Sequence, residues 1–223
     1  MGLLSYPSVS YDETWYMSPR EFAADYCIHV LGLALGAAGS VTLVARIATG
    51  AQHGNKTAIA VYIIGLLAML GCSAAYNLAP PSPIRLVLRR FDQAAIFLMI
   101  AGTYTPFTTR DLDGSLAVTL TSFIWIVALL GAAGKLVLPR RLDRLSVVIY
   151  LMLGWIVLVA FGPLMAGLAP LTIHLLLAGG VLYTVGIGFY LWRMLPFQNA
   201  IWHGFVLAAA GCHYAAILQR GAS

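Results

Sequence analysis

The chain has 223 residues, of which 61% are hydrophobic and only 9% charged, with a formal net charge of +5. Soluble domains carry about 25% charged residues, so a water-soluble globule, a disordered chain and a secreted disulfide scaffold are all excluded. The basic residues lie in short clusters between apolar runs, which excludes nucleic acid and leaves a compact polytopic membrane protein whose partners are membrane lipids.

Residues 1–17 include Asp12, Glu13 and other polar groups with no continuous apolar stretch. They read as a short cytoplasmic segment rather than a cleavable signal, which leaves the first membrane helix as the targeting signal. Ser18-Pro19-Arg20-Glu21 has the form of a capping box with proline at the first helical position. A helix from there to residue 48 is about 45 Å long at 1.5 Å per residue. The hydrocarbon core is about 30 Å thick, so the first turns are expected to stand in the interface.

Seven apolar runs follow one another at approximately 24–48, 58–79, 93–109, 115–135, 145–166, 170–192 and 200–219. Each is near the length a membrane helix needs. Pro80-Pro81-Ser82-Pro83 stops the second, and Pro139 and Pro196 mark later breaks. Every gap is short, so residues 1–223 form a single domain, an all-α seven-transmembrane helix bundle. Cys27, Cys72 and Cys212 fall inside apolar runs, where a thiol is a small hydrophobe. Gly32-x-x-x-Gly36 and Gly179-Gly180 with Gly186-x-Gly188 allow close helix packing, either within the chain or between two copies. The oligomeric state is not written in the sequence.

With seven spans, one side of the membrane receives Arg20, Arg85, Arg89, Arg90, Lys135, Arg140, Arg141, Arg144 and Arg193. The other receives Arg46, Lys56, Arg110 and Arg220. The positive-inside rule then places the N-terminus in the cytoplasm and the C-terminus outside.

Polar groups within membrane spans are functional candidates by default. Ser73 and Asn77 are four apart on one face of the second helix, near its cytoplasmic end. Asp92 is expected to open the third helix at that side. Asn199 and His203, again four apart, begin the seventh, while Glu21, Asp25 and His29 rise along one stripe of the first. Four helices thus bring polar groups to one level. Each also has a structural reading: Asp92 as a favourable charge at a helix N-terminus, Ser73 and Asn77 as interhelical hydrogen bonds, Glu21 and Asp25 as half-solvated surface. His203 lies deeper and needs a partner. His213 is about 15 Å further up the same helix, too far to share a ligand shell.

The stretch Phe91-Asp92-Gln93-Ala94-Ala95-Ile96, continued by Ala101-Gly102-Thr103-Tyr104-Thr105-Pro106-Phe107, resembles the hallmark of the hemolysin III proteins. These form the bacterial branch of the progestin and adiponectin receptor superfamily. Ile201-Trp202-His203-Gly204-Phe205-Val206 through Cys212-His213 is similar to the family's last helix. Glu21…Asp25…His29 and Ser73-Ala74-Ala75-Tyr76-Asn77 resemble its first and second. The resemblance runs from about residue 18 to 218. It implies a seven-helix inner-membrane protein with a cytoplasmic N-terminus, and a zinc site of three histidines near the cytoplasmic face, associated with Ser73 and Asp92. Here Asn77 and Asn199 stand where the family has two of those histidines, Gln93 stands at a position that is often His, and only His203 is kept. Zinc sites use Cys, His or carboxylate ligands, and an amide oxygen suits hard cations better. The metal site is therefore expected to be degenerate. A substitute set drawn from Glu21, Asp25, His29, Asp92 and His203 requires the first helix to pack beside the seventh.

Three functions follow from the resemblance. The first is a role in membrane lipid and energetic homeostasis with a depleted metal site. The second is metal-dependent hydrolysis of a lipid amide or ester, in which a metal-bound water attacks the carbonyl while Ser73 and Asp92 act as catalytic residues that orient it. The third, pore formation, finds no charged pore-lining stripe and no soluble phase. A retinal protein is excluded, because Lys56 and Lys135 are the only lysines and neither lies in the last helix.

Overall fold

A computed structural model describes residues 18–112, 114–138, 143–160, 162–163 and 167–222. The segment 1–17 and the loop residues Pro139, Arg140 and Arg141 lie outside the described residues. Among the described residues seven α-helices follow in order: α1 (Pro19–Ala48), α2 (Lys56–Leu78), α3 (Pro83–Thr108), α4 (Gly114–Val137), α5 (Asp143–Gly154), α6 (Pro170–Leu191) and α7 (Gln198–Ala222). There is no strand among the described residues. Five helices, α1, α2, α4, α6 and α7, are long and apolar enough to cross a membrane by themselves. The chain is a multi-pass membrane protein.

The ends of α1 and α2 are set by local chemistry. Ser18 and Glu21 form the reciprocal capping box that satisfies the first backbone N–H groups of α1. The Asn55 side chain accepts from Thr57 and Ala58 and does the same for α2. Hydroxyls inside the spans bond to their own helix: Ser40 to the Gly36 carbonyl at 2.7 Å, Thr103 to Met99 at 2.8 Å. This is how a polar side chain is tolerated where no water competes.

α1 buries a narrow stripe, Asp25, His29, Gly32, Gly36, Ser40 and Leu43, spaced three or four residues apart. Its apolar residues Leu35, Val41 and Val44 are more than half exposed. The helix is amphipathic in the sense opposite to a soluble one, small and polar toward its neighbours and apolar toward lipid. A Cβ on Gly36 would lie 2.4 Å from Leu70 of α2, and one on Gly186 would lie 2.9 Å from Phe205 of α7. Both glycine motifs therefore serve packing within the chain. Gly65 and Gly102 face each other's helices, each approaching the partner's backbone so closely that a Cβ would sit 3.3 Å from a carbonyl oxygen. These two positions bring α2 and α3 into backbone contact.

Two helices depart from the expected boundaries. α3 begins at Pro83 rather than near residue 93 and runs for 26 residues. Its basic first turns are anchored in place: Arg85 donates to the Tyr76 carbonyl and lies over the Tyr76 ring, and Arg90 donates to the Leu136 carbonyl. Asp92 is consequently in mid-helix, so the helix-dipole explanation does not apply to it. The fifth span, expected over 145–166, is an α-helix only to Gly154 and continues as a 3₁₀ turn over Ile156–Ala160. The Tyr104 hydroxyl sits at the break, donating to the Gly154 carbonyl at 2.5 Å and accepting from the Val157 N–H at 3.3 Å. It supplies both partners that the interrupted helix needs.

α1 and α7 lie side by side and parallel. Glu21 accepts from the Phe197 N–H at one end, the Tyr214 hydroxyl donates to Gly39 further along, and past α1 the Gln52 side chain donates to Ile217. Replacing Gly102 by leucine inserts a side chain into the backbone contact between α2 and α3. It should lower stability by about 1–3 kcal/mol, whereas Gly71→Ala, with open space around it, should stay within about 0.5 kcal/mol. Thermal unfolding of the purified variants in detergent measures both.

Candidate functional site

Ser73, Asn77, Asp92, Asn199 and His203 all line one cavity between the helices. α2 and α3 supply the first three and α7 the last two, each pair on a helix spaced by one turn. The Asn77 amide donates to the Ser73 carbonyl at 2.9 Å and to its hydroxyl oxygen at 3.3 Å. Ser73 is also hydrogen-bonded to the Asp92 side chain, so Asn77, Ser73 and Asp92 are linked in the wall of one chamber. His203 and His29 line the same chamber as Asp92.

Asp25 departs most from the sequence reading. Instead of being half solvated it is 1% exposed. The Nδ1 of His203 donates to its Oδ1 at 2.6 Å, the short length of a charge-assisted hydrogen bond. The Nε2 of His29 lies 3.6 Å from the other carboxylate oxygen, beyond hydrogen-bond length. The His29 and His203 rings approach to 4.4 Å between centroids. Glu21, by contrast, stays at the rim, shared between the Ser18 cap and the Phe197 N–H. Phe197 takes φ of 58° there, the one non-glycine residue in the left-handed region among the described residues.

Along the charged end of the chamber lining, Asp143 accepts from Arg89 at 2.6 Å and from Lys135 at 2.7 Å, tying α3, α4 and α5 together. The basic residues that set the charge count are thus also structural. The Tyr150 hydroxyl donates to the Gln93 carbonyl at 2.7 Å and fixes α5 against α3 beside the site. At the opposite end of the bundle Arg220 pairs with Asp111, and Arg110 donates to the His53 and Arg220 carbonyls. His213 is half-buried on α7 with Nε2 donating to the Leu176 carbonyl at 3.3 Å, a contact with α6 separate from the Asp25 cluster.

The three-histidine arrangement that the family resemblance implies does not fit these residues. Asn77 is engaged with Ser73, and an amide at 77 or 199 is not a zinc ligand. The condition for a substitute set is met, because α1 packs against α7. The sequence reading had Asp25 and His29 on the correct stripe; what it lacked was the neighbour of that stripe, which only the helix packing supplies.

The fold and the chamber define a polytopic α-helical membrane protein with a buried polar site at one end of a seven-helix bundle. A family profile described as "Haemolysin-III related" matches residues 23–214. The chain belongs to the haemolysin III family. It is 33% identical over 199 residues to "Hemolysin-3 homolog" of Bacillus subtilis (strain 168), covering 89% of this chain and 93% of that protein. It is 34% identical over 202 residues to "Hemolysin-3" of Bacillus cereus, covering 89% and 91%. Human "Monocyte to macrophage differentiation factor" is 29% identical over 171 residues, covering 70% and 67%. No solved structure matches.

Removing one member of the Asp25–His203 pair strands the other in a low-dielectric interior. His203→Leu and Asp25→Leu should each cost about 3 kcal/mol, while the double replacement of Asp25 and His203 by leucine should recover most of it. A double-mutant cycle by detergent unfolding tests this; additive losses would show that the contact carries no coupling.

Proposed function

We propose that this chain serves membrane lipid homeostasis by holding one lipid amphiphile inside its bundle, the polar head at Ser73, Asp92 and His203. The observation that carries this reading is the form of the cavity. Its volume is about 480 Å³, within the roughly 300–1,000 Å³ of small-molecule sites. Its lining on α3 runs from Arg89 to Thr108, about 28 Å at 1.5 Å per residue. Charged side chains, Glu21, Arg89, Asp92, Lys135, Asp143 and Arg193, crowd one end, and apolar residues such as Ile100, Leu176 and Val206 line the rest. A head at one end and a chain along the other is the chemistry such walls accept.

The test is mass spectrometry of lipids bound to the purified protein, followed by re-addition of a fatty acid. Ile100→Trp fills the apolar wall and should weaken binding about tenfold, equivalent to 1.4 kcal/mol, with the fold intact. Lipid occupancy unchanged by this variant would overturn the reading. Hydrolysis of the bound lipid is a second reading, favoured by the Ser73–Asp92 contact lying beside His203. Its mark is fatty acid released from an amide or ester lipid and abolished by Asp92→Asn.

The same reading places the chamber on the cytoplasmic side of the inner membrane. Nine basic residues against four support this orientation, and the parallel course of α1 and α7 sets their outer ends on opposite faces. A reporter fused after Ser223 should report the periplasm and one inserted at Ser82 the cytoplasm. Inverted signals at both would exclude it.

A further inference from the structure

We infer that Asp25, His29 and His203 form a zinc site, displaced onto the first helix from the position the family resemblance implies. Each of the three offers one ligand atom, and these atoms all lie within 4.8 Å of one another. One carboxylate and two imidazoles are ordinary zinc ligands, and three protein ligands leave a fourth position open. Asp25 and His29 come from successive turns of α1, and His203 comes from α7 alongside.

The independent observation is His29. The residue is 7% exposed, and its Nε2 has no hydrogen-bond partner among the described residues. A buried ring nitrogen is ordinarily satisfied. The Asp25–His203 hydrogen bond would be complete without His29, so a purely structural pair leaves this nitrogen unexplained. A shared cation explains it. The position also follows from the substitutions at the expected site: with amides at 77 and 199, His203 finds its nearest ligating partners on α1 instead of on α2 and its own helix. His29 and His203 line the chamber and Asp25 does not. The three residues would therefore hold an ion at the chamber wall, beside the space that Ser73 and Asp92 also line.

The proposal is tested without reference to any activity and independently of lipid binding. Protein purified without chelator is analysed for metals, then stripped, and reloaded with Co²⁺ as a spectroscopic probe. The expected result is close to one zinc per chain and visible cobalt bands of four-coordinate intensity. His29→Gln keeps a polar side chain of similar reach and removes the ring nitrogen that has no hydrogen-bond partner among the described residues. It should retain at least about tenfold less zinc, whereas Asn77→Ala and Asn199→Ala should retain the wild-type amount. If H29Q is not recovered folded, His29→Cys decides the matter: a thiolate at the same place should add a sulfur-to-cobalt charge-transfer band. Wild-type protein that takes up no zinc, an H29Q variant that keeps it, an N77A variant that loses it, or H29C without the new band would each overturn the assignment. If zinc is absent while Ile100→Trp still displaces lipid, the site fails and the lipid reading stands.

Discussion

A carboxylate with 1% exposure inside a membrane bundle dictates what must surround it. Asp25 has no water to turn to, and a charged group in such a setting is tolerated only when paired. Its partner, His203, is 178 residues away in sequence. The two can meet only if the first and last helices lie side by side, and for both to sit near the beginning of their helices the pair must run parallel. That single requirement closes the bundle, turns the polar stripe of α1 inward and leaves its apolar residues for lipid. The chamber is what the closed ring encloses.

The two ends of this bundle are built differently. At the chamber end, Arg89 and Lys135 converge on Asp143, so three helices are held by side chains that also line the cavity. At the other end Arg220, Asp111, Arg110 and backbone carbonyls form a latch between the α3 terminus and the end of α7. The first end is lined with ionisable groups of the cavity, while the second is held by the latch. An amphiphile entering the cavity would thus find charge on one side and hydrocarbon on the other.

Much of this was legible in the sequence. Apolar run length gave seven helices, the Ser18–Glu21 box gave the start of α1, and i,i+4 spacing grouped Ser73 with Asn77 and Asn199 with His203. Spacing could not reveal that α3 starts ten residues early, because Arg85, Arg89 and Arg90 look like loop charge until their carbonyl and carboxylate partners on α2, α4 and α5 are known. Nor does any local pattern announce the break in α5, which depends on a hydroxyl from Tyr104, 50 residues earlier. The burial of Asp25 escapes the sequence for the same reason. One residue on a helix near the membrane surface reads as solvated, and only the arrival of α7 buries it.

That arrival has a date. At about 5–20 residues per second, the 178 residues between Asp25 and His203 take roughly 9–36 s to synthesise. Throughout that interval the first helix exists and its partner does not. Its carboxyl group has no His203 to accept from in that interval, and is neutralised by a proton or solvated at the interface instead. The last helix made is the one that releases the first from waiting. A chain truncated anywhere before α7 would never pass that point, and would present its incompleteness to membrane quality control as an unpaired carboxyl group in the bilayer.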